Sequence, residues 1–225
     1  IEIVALHMLD LNIASLSDSA SDIQAQSVFL LKLAEKKIKT FLKKEYLKGL
    51  NVTPVIKHYL SFREINEIAE EVKADLIVMS SHGVSGIKEI FVGSNTEKVV
   101  RFATIPVLVL KEELFDLNFE DVVYATDFSE ESIPAYKKAL QLIDFFGAEL
   151  HLLFVNTPND KFKTSTEMKE MAANFLNKSD QDISKLKEIT FECESTIEKG
   201  IIRFSDRIGA DLIAVSTHGR KGLSH

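Results

Sequence analysis

The chain has 225 residues, with 34 Asp and Glu against 27 Lys and Arg, a formal charge of −7 and 45% hydrophobic residues. That acidic balance argues against non-specific nucleic-acid binding, and no apolar run approaches the roughly 20 residues needed to cross a bilayer. A single cysteine, Cys193, excludes an internal disulfide and fits a reducing cytoplasm.

Taken in chain order, strand-like and helix-like segments alternate. Residues 1–8 read as a strand, and residues 15–27, polar and rich in small side chains, as a loop. A helix is predicted over 28–48, with Val28, Leu31, Ile38, Phe41, Leu42 and Tyr46 on its apolar face and its lysines on the solvated one. A strand over 52–58, a helix over 62–73, a strand over 75–80, a helix over 94–102 and a strand over 106–110 follow. A strand Asp121-Val122-Val123-Tyr124-Ala125-Thr126-Asp127 and a helix from about 132 to 146 then open a further unit, in which Pro134 suits the first helical turn. After the strand that begins at Glu149, residues 156–166 read as a loop.

The chain repeats itself. Ala74-Asp75-Leu76-Ile77-Val78-Met79-Ser80-Ser81-His82-Gly83 recurs as Ala210-Asp211-Leu212-Ile213-Ala214-Val215-Ser216-Thr217-His218-Gly219, a shift of 136 positions. Ile65, Ile68 and Val72 fall on Ile201, Phe204 and Ile208 at the same shift, so a similar amphipathic helix precedes each copy. Glu2 to Met8 falls on Glu149 to Val155 at a shift of 147, which places the length difference in a connector. The copies are incomplete at opposite ends: the first lacks the opening strand and helix, and the second lacks a closing helix and strand. By the repeat, roughly 35 residues before Ile1 and a few tens after His225 are expected to be missing from this sequence.

Alternating strands and helices imply right-handed βαβ units, and continuous apolar strands imply a parallel sheet covered on both faces. The expected fold is α/β: two tandem doubly wound parallel-sheet domains, Rossmann-like, over 1–113 and 114–225. Ligands of such sheets bind beyond the carboxyl ends of the strands, near a topological switch point. Met8, Val155, Thr126-Asp127 and both Ser-x-His-Gly turns would lie there.

Gly83 and, nine residues on, Gly93-Ser94-Asn95 could cradle a phosphate chain, because a helix N-terminus offers free N–H groups and a positive dipole end. The same residues also serve as ordinary turn and cap residues, and spacing alone leaves both readings open. Asp127 is likewise either a ligand to a ribose or base amine or a turn residue, with Ser129 or Ser132 capping the helix after it. His82 and His218 have no Cys or carboxylate at metal-ligand spacing, so each is read as fixing its turn. No metal site, catalytic triad, Walker pattern or G-x-G-x-x-G fingerprint emerges.

Ala125-Thr126-Asp127-Phe128-Ser129, the strand ends Leu6-His7-Met8 and Leu153-Phe154-Val155, the repeated Ala-Asp-Leu-Ile segment and Gly83-x9-Gly93-Ser94 resemble the universal stress protein A family, over nearly the whole chain. The resemblance implies an adenine nucleotide alpha hydrolase-like fold, a stress-response role and ATP or a related adenine nucleotide, with Mg, in at least one domain. It implies Thr126 and Asp127 at adenosine, Val155 at adenine through its backbone, and Ser216 and Gly219 facing phosphate. Met8, Ser80, Gly83, Gly93, Ser94 and Asn95 are the counterparts in the first domain. Ser80 and Ser216 stand where the family's phosphate signature, Gly-x2-Gly-x9-Gly-Ser/Thr, has its first glycine. The alternative is a stress protein that binds no nucleotide and acts as a dimeric interaction module. Either way the chain is expected not to be an enzyme beyond weak ATP hydrolysis, to act in the cytoplasm without nucleic acid or membrane, and to form a homodimer or an intramolecular pseudo-dimer, with Val107 to Leu110 as the pairing strand.

Overall fold

A computed structural model describes residues 1–10, 20–59, 63–80, 94–111, 118–158 and 162–216. In chain order the elements are β1 (Glu2–Asp10), α1 (Ala20–Phe41), β2 (Asn51–Tyr59), α2 (Arg63–Glu71), β3 (Ile77–Ser80), α3 (Ser94–Phe102), β4 (Val107–Leu110), β5 (Asp121–Ala125), α4 (Ile133–Phe146), β6 (Glu149–Asn156), α5 (Ser165–Lys178), β7 (Thr190–Cys193), α6 (Ile197–Ile208) and β8 (Leu212–Val215). Every strand pair among the described residues is parallel. By its contacts the chain forms two compact units, Ile1–Val72 and Lys73–His225.

In the first unit β1 and β2 run side by side from Glu2 opposite Asn51 to Asp10 opposite Tyr59, and α1 lies against both. The helix departs from the sequence expectation at both ends and in its phase. It begins at Ala20, inside the expected loop, because Ala20, Gln24, Ala25 and Gln26 are good helix formers. It ends at Phe41, and Tyr46 sits in a separate 3₁₀ turn, Glu45–Leu47. The inward stripe is Leu30, Ala34 and Ile38, with Ala34 buried; of the expected face Ile38 and Leu42 are half-buried, whereas Val28, Leu31, Phe41 and Tyr46 are exposed. The lysines are exposed, as expected.

The second unit contains the ladder β3-β4 and a four-stranded sheet in the order β7-β6-β5-β8. In that sheet β5 pairs with both β6 and β8. By the repeat, β1 corresponds to β6 and β3 to β8. The first copy's strands form two separate ladders rather than the single sheet expected, because this sequence holds no counterpart of β5 to pair with both β1 and β3.

Helices α4 and α5 cover one face of the larger sheet. Tyr124, Phe128, Tyr136, Leu152, Phe154, Met168, Ala172, Phe175 and Leu176 form its principal core cluster. Val123, Leu153 and Phe204 form the core on the α6 face. Helix α5 starts with a capping box: Thr164 Oγ1 accepts from Glu167 N, and Glu167 Oε2 accepts from Thr164 N at 2.7 Å. Gly147 and Gly209, both left-handed, close α4 and α6.

The two repeated strands bury opposite sides. Strand β3 half-buries Ile77 and Met79 and exposes Val78 and Ser80, while β8 half-buries Leu212 and Ala214 and exposes Ile213 and Val215. Leu212 and Ala214 pack with the cluster of Phe119, Val122 and Ile143, to which α4 contributes Ile143. The first copy has no counterpart of α4 in this sequence, so the matching side of β3 stays exposed.

Candidate functional site

From β5 the chain steps outward to β6 and then β7, and returns to place β8 on the other side of β5. The switch point therefore lies between β5 and β8. A crevice forms at such a point beyond the carboxyl ends of the strands. Those ends carry Thr126-Asp127 and Ser216.

The turn after β5 is tightly built. Thr126 N donates to Leu153 O at 3.0 Å, extending the ladder one residue past the strand. Thr126 Oγ1 accepts from Phe128 N at 3.0 Å, and Asp127 Oδ1 accepts from Ser129 N at 3.0 Å. Phe128 takes a left-handed backbone, φ +56°, which costs a side-chain-bearing residue about 1–2 kcal/mol. Its ring repays that cost: it is 6% exposed, stacks on Phe154 at 5.6 Å and meets Phe175 edge-on at 5.3 Å. Thr126 and Phe128 are thus anchored inward on either side of Asp127, which is exposed.

The helix cap expected from Ser129 or Ser132 is absent: neither makes a side-chain cap bond. Ser132 Oγ instead donates to Ser129 O at 2.7 Å and lies 3.5 Å from Thr126 Oγ1, bracing the turn from behind. Pro134 sits in the first turn of α4, as expected.

Behind the turn stands Tyr124, 1% exposed, whose hydroxyl meets no hydrogen-bond partner among the described residues. Burial pushes this phenol up to about 12. Nearby Ser216 pulls it back somewhat, and Tyr136 and Asp127 add to the rise. Burial raises Tyr136 to about 12 as well.

At the end of β6, Val155 is half-buried, and Gly200 of α6 lies so close that a β-carbon there would fall 2.5 Å from Val155 Cγ1. Asn156 is 2% exposed. It accepts from Lys163 N at 3.0 Å and donates to Lys163 O at 2.7 Å, tying Lys163 to the end of the strand. Beside it, Arg203 pairs with Glu194 and Arg207 with Glu192.

Of the first copy's expected residues, Met8 lies in the first unit, on β1 opposite Lys57, and lines a cavity of about 170 Å3 with His7, Leu33, Ala34 and Lys37. Ser80, Ser94 and Asn95 belong to the second unit. Ser80 ends β3, its carbonyl accepting from Thr96 Oγ1 at 3.0 Å, and Ser94 and Asn95 open α3. Gly83, Gly93 and Gly219, with His82 and His218, lie outside the described residues.

Sequence reasoning passed over Tyr124, Gly200 and the inward hold on Phe128. A Tyr inside an apolar strand and a Gly inside a helix carry no local mark of their role. At the opposite, amino ends of β5 and β6, His151 Nε2 lies 2.6 Å from Asp121 Oδ1, with the Glu149 carboxylate close by.

A family model described as the universal stress protein family matches residues 1–111 and again 118–225. The chain belongs to the universal stress protein family. The double match makes it a tandem, two-domain member. Among relatives, Universal stress protein MJ0577 of Methanocaldococcus jannaschii is 31% identical over 126 residues, covering 50% of this chain and 78% of that protein. Universal stress protein MJ0531 of the same organism is 51% identical over a shorter stretch of 49 residues, 22% of this chain and 29% of that protein. A solved universal stress protein from Archaeoglobus fulgidus covers 98% of this chain and 76% of its own, with a TM-score of 0.67 at 20% identity. At that identity the likeness speaks for the fold, which is the α/β architecture read from the alternating segments. Among the described residues, no helix is long and apolar enough to cross a membrane.

Proposed function

We propose that this universal stress protein binds ATP or a related adenine nucleotide, with Mg2+, at the β5–β8 switch point of its second copy, and acts in stress response as a binding protein. The observation that carries the reading is Asp127, held exposed at the strand end by the inward-anchored Thr126 and Phe128. A carboxylate so placed accepts hydrogen bonds from ribose hydroxyls or a base amine. Val155 would meet adenine through its backbone, and the Ser216 backbone with Gly219 would face the phosphates. Met8, Ser80, Gly83, Gly93, Ser94 and Asn95 would do the same work in a first domain spanning 1–113, with 114–225 as the second. The exposed Cys193 accords with a cytoplasmic setting.

Calorimetric titration of the protein with Mg-ATP, paired with thermal melts, tests the reading. Nucleotide at 100 times its Kd stabilises the folded state by about 2.7 kcal/mol. The absence of both heat and a melting shift at millimolar ATP would overturn the reading.

A second reading, an interaction module, is favoured by the exposed Ile213 and Val215 on β8. Between a homodimer and an intramolecular pseudo-dimer, one contact supports the latter. Leu108 of β4 packs against Phe119, Val122 and Ile143, which the repeat assigns to the other copy. Sedimentation of the chain distinguishes the two.

A further inference from the structure

Ser216 stands where the resembled phosphate signature has a glycine, and a β-carbon pointing into the crevice would crowd a phosphate chain. Its direction follows from the strand before it. Along β8 exposure alternates, with Leu212 and Ala214 half-buried and Ile213 and Val215 exposed, and the alternation continues into a half-buried Ser216. Side chains of a strand point to opposite faces in turn, so Ser216 shares the face of Leu212 and Ala214. Tyr124 lies on that same face, because it is directly opposite Ala214 in the β5–β8 ladder. Ala214 itself packs against the cluster that contains Tyr124.

Among the described residues the buried Tyr124 hydroxyl has no hydrogen-bond partner, an arrangement folded proteins rarely leave unexplained. Ser216 is close enough to hold the phenol's proton affinity down, yet the two hydroxyls do not count as hydrogen-bonded. A serine hydroxyl both donates and accepts, and one χ1 rotation re-aims it.

Resting on the nucleotide reading above, we propose that Ser216 is a positioning residue whose hydroxyl partners the buried Tyr124 phenol, which turns its side chain into the sheet's α4 face and leaves the crevice at the strand end to phosphate. The serine is then compatible with nucleotide, and Tyr124 is the residue that makes it so. Losing the phenol releases the serine hydroxyl to turn toward the phosphates.

The test is a double-mutant cycle on the whole chain with Tyr124→Phe, Ser216→Gly, Ser216→Ala and the pairs, read by Mg-ATP calorimetry and thermal melts. Ser216→Gly keeps the wild-type Kd within about threefold, Tyr124→Phe weakens it by about threefold or more, and adding Ser216→Gly to Tyr124→Phe restores it. Ser216→Ala lowers the melting temperature by about 2–4 °C, and most of that loss disappears in the Tyr124→Phe background. Ser216→Thr, which keeps the hydroxyl, recovers the stability lost in Ser216→Ala. Ser216→Gly binding ATP tenfold tighter than wild type would overturn the proposal, because the serine would then be crowding the ligand. So would strictly additive melting shifts for the two positions. If the wild-type chain binds no ATP, the nucleotide reading fails on its own, and the stability cycle alone decides whether Tyr124 and Ser216 are partners.

Discussion

Gly200 leaves no room for a side chain against Val155: a β-carbon on it would lie 2.5 Å from Val155 Cγ1 and 2.8 Å from Cγ2. Val155 is β-branched, stiff at χ1 and packed beside the Val123, Leu153 and Phe204 cluster, so it cannot swing aside at little cost. The close approach of α6 therefore sets where the end of β6 sits. Gly200→Ala gains about 1 kcal/mol of helix propensity but forces an overpacking cost of about 1–3 kcal/mol. The expected net result is a lower denaturation midpoint in urea. Mg-ATP binding should weaken in the same variant if Val155 meets adenine as proposed. An Ala variant as stable as the parent would show that the helix simply slides.

Phe128 sets backbone strain against ring burial, and the two can be separated. Phe128→Ala removes the buried ring at about 3–5 kcal/mol and keeps the left-handed strain. Phe128→Gly removes the ring and the strain together. The glycine variant should therefore be the more stable of the two by about 1 kcal/mol, inverting the usual order of Ala over Gly. Guanidinium unfolding of both proteins checks the order, and an alanine variant more stable than the glycine one would mean that the turn relaxes out of φ +56° once the ring is gone.

The architecture was legible because the repeat is written in side chains that the sheet itself requires. Ala210-Asp211-Leu212-Ile213 is a strand entering a parallel sheet, and Asp211 has a structural task there: its carboxylate accepts from Glu120 N at 2.9 Å and Asp121 N at 3.0 Å, stitching β8 to β5. Periodicity found α1 but missed its phase, since Leu30-Ala34-Ile38 and Val28-Leu31 differ by one helical step and only the β1–β2 surface chooses between them. Asp127 in its Thr-Asp-Phe-Ser setting was legible as a candidate, and the structure leaves it exposed between buried Thr126 and Phe128. What could not be read was which way Ser216 turns or what presses on Val155, because both depend on strands and helices distant in sequence. Alternation of exposure along β8 exists only once α4 is laid on one side of it.

The stitch made by Asp211 titrates. The backbone N–H of Asp121, then that of Glu120, holds its carboxyl below the ordinary carboxylate range. A group depressed on folding contributes stability that is fully present above its unfolded pKa, about 3.9, and is lost as pH falls through the folded value. Asp211→Asn accepts through its side-chain oxygen but carries no charge. It should lose part of the stability at pH 7 and flatten the decline below about pH 4 relative to wild type. Melting curves at pH 7, 5 and 3.5 for both proteins supply the comparison, and parallel curves would assign the acid sensitivity to other carboxylates. Glu167, held down by the Thr164 backbone and hydroxyl, is the first to consider.

Asp127 separates ligand binding from folding. It is exposed, and the bond it accepts from Ser129 N is solvent-accessible, so removing it costs the fold little. Asp127→Ala should shift the melting temperature by no more than the roughly 2–4 °C expected for loss of about 1 kcal/mol. A hydrogen bond to a charged acceptor is worth about 1.5–3 kcal/mol, so affinity for Mg-ATP should fall by about 10- to 100-fold. Asp127→Asn keeps an acceptor oxygen but not the charge, and belongs between the two. Titrations of the three proteins under one salt condition give the order. If all three bind alike, the nucleotide does not use this carboxylate and the β5–β8 crevice is not its site. If Asp127→Ala binds poorly and also melts far lower, the turn at Thr126-Phe128 has collapsed, and the Asn variant, which retains an oxygen for Ser129 N, carries the comparison.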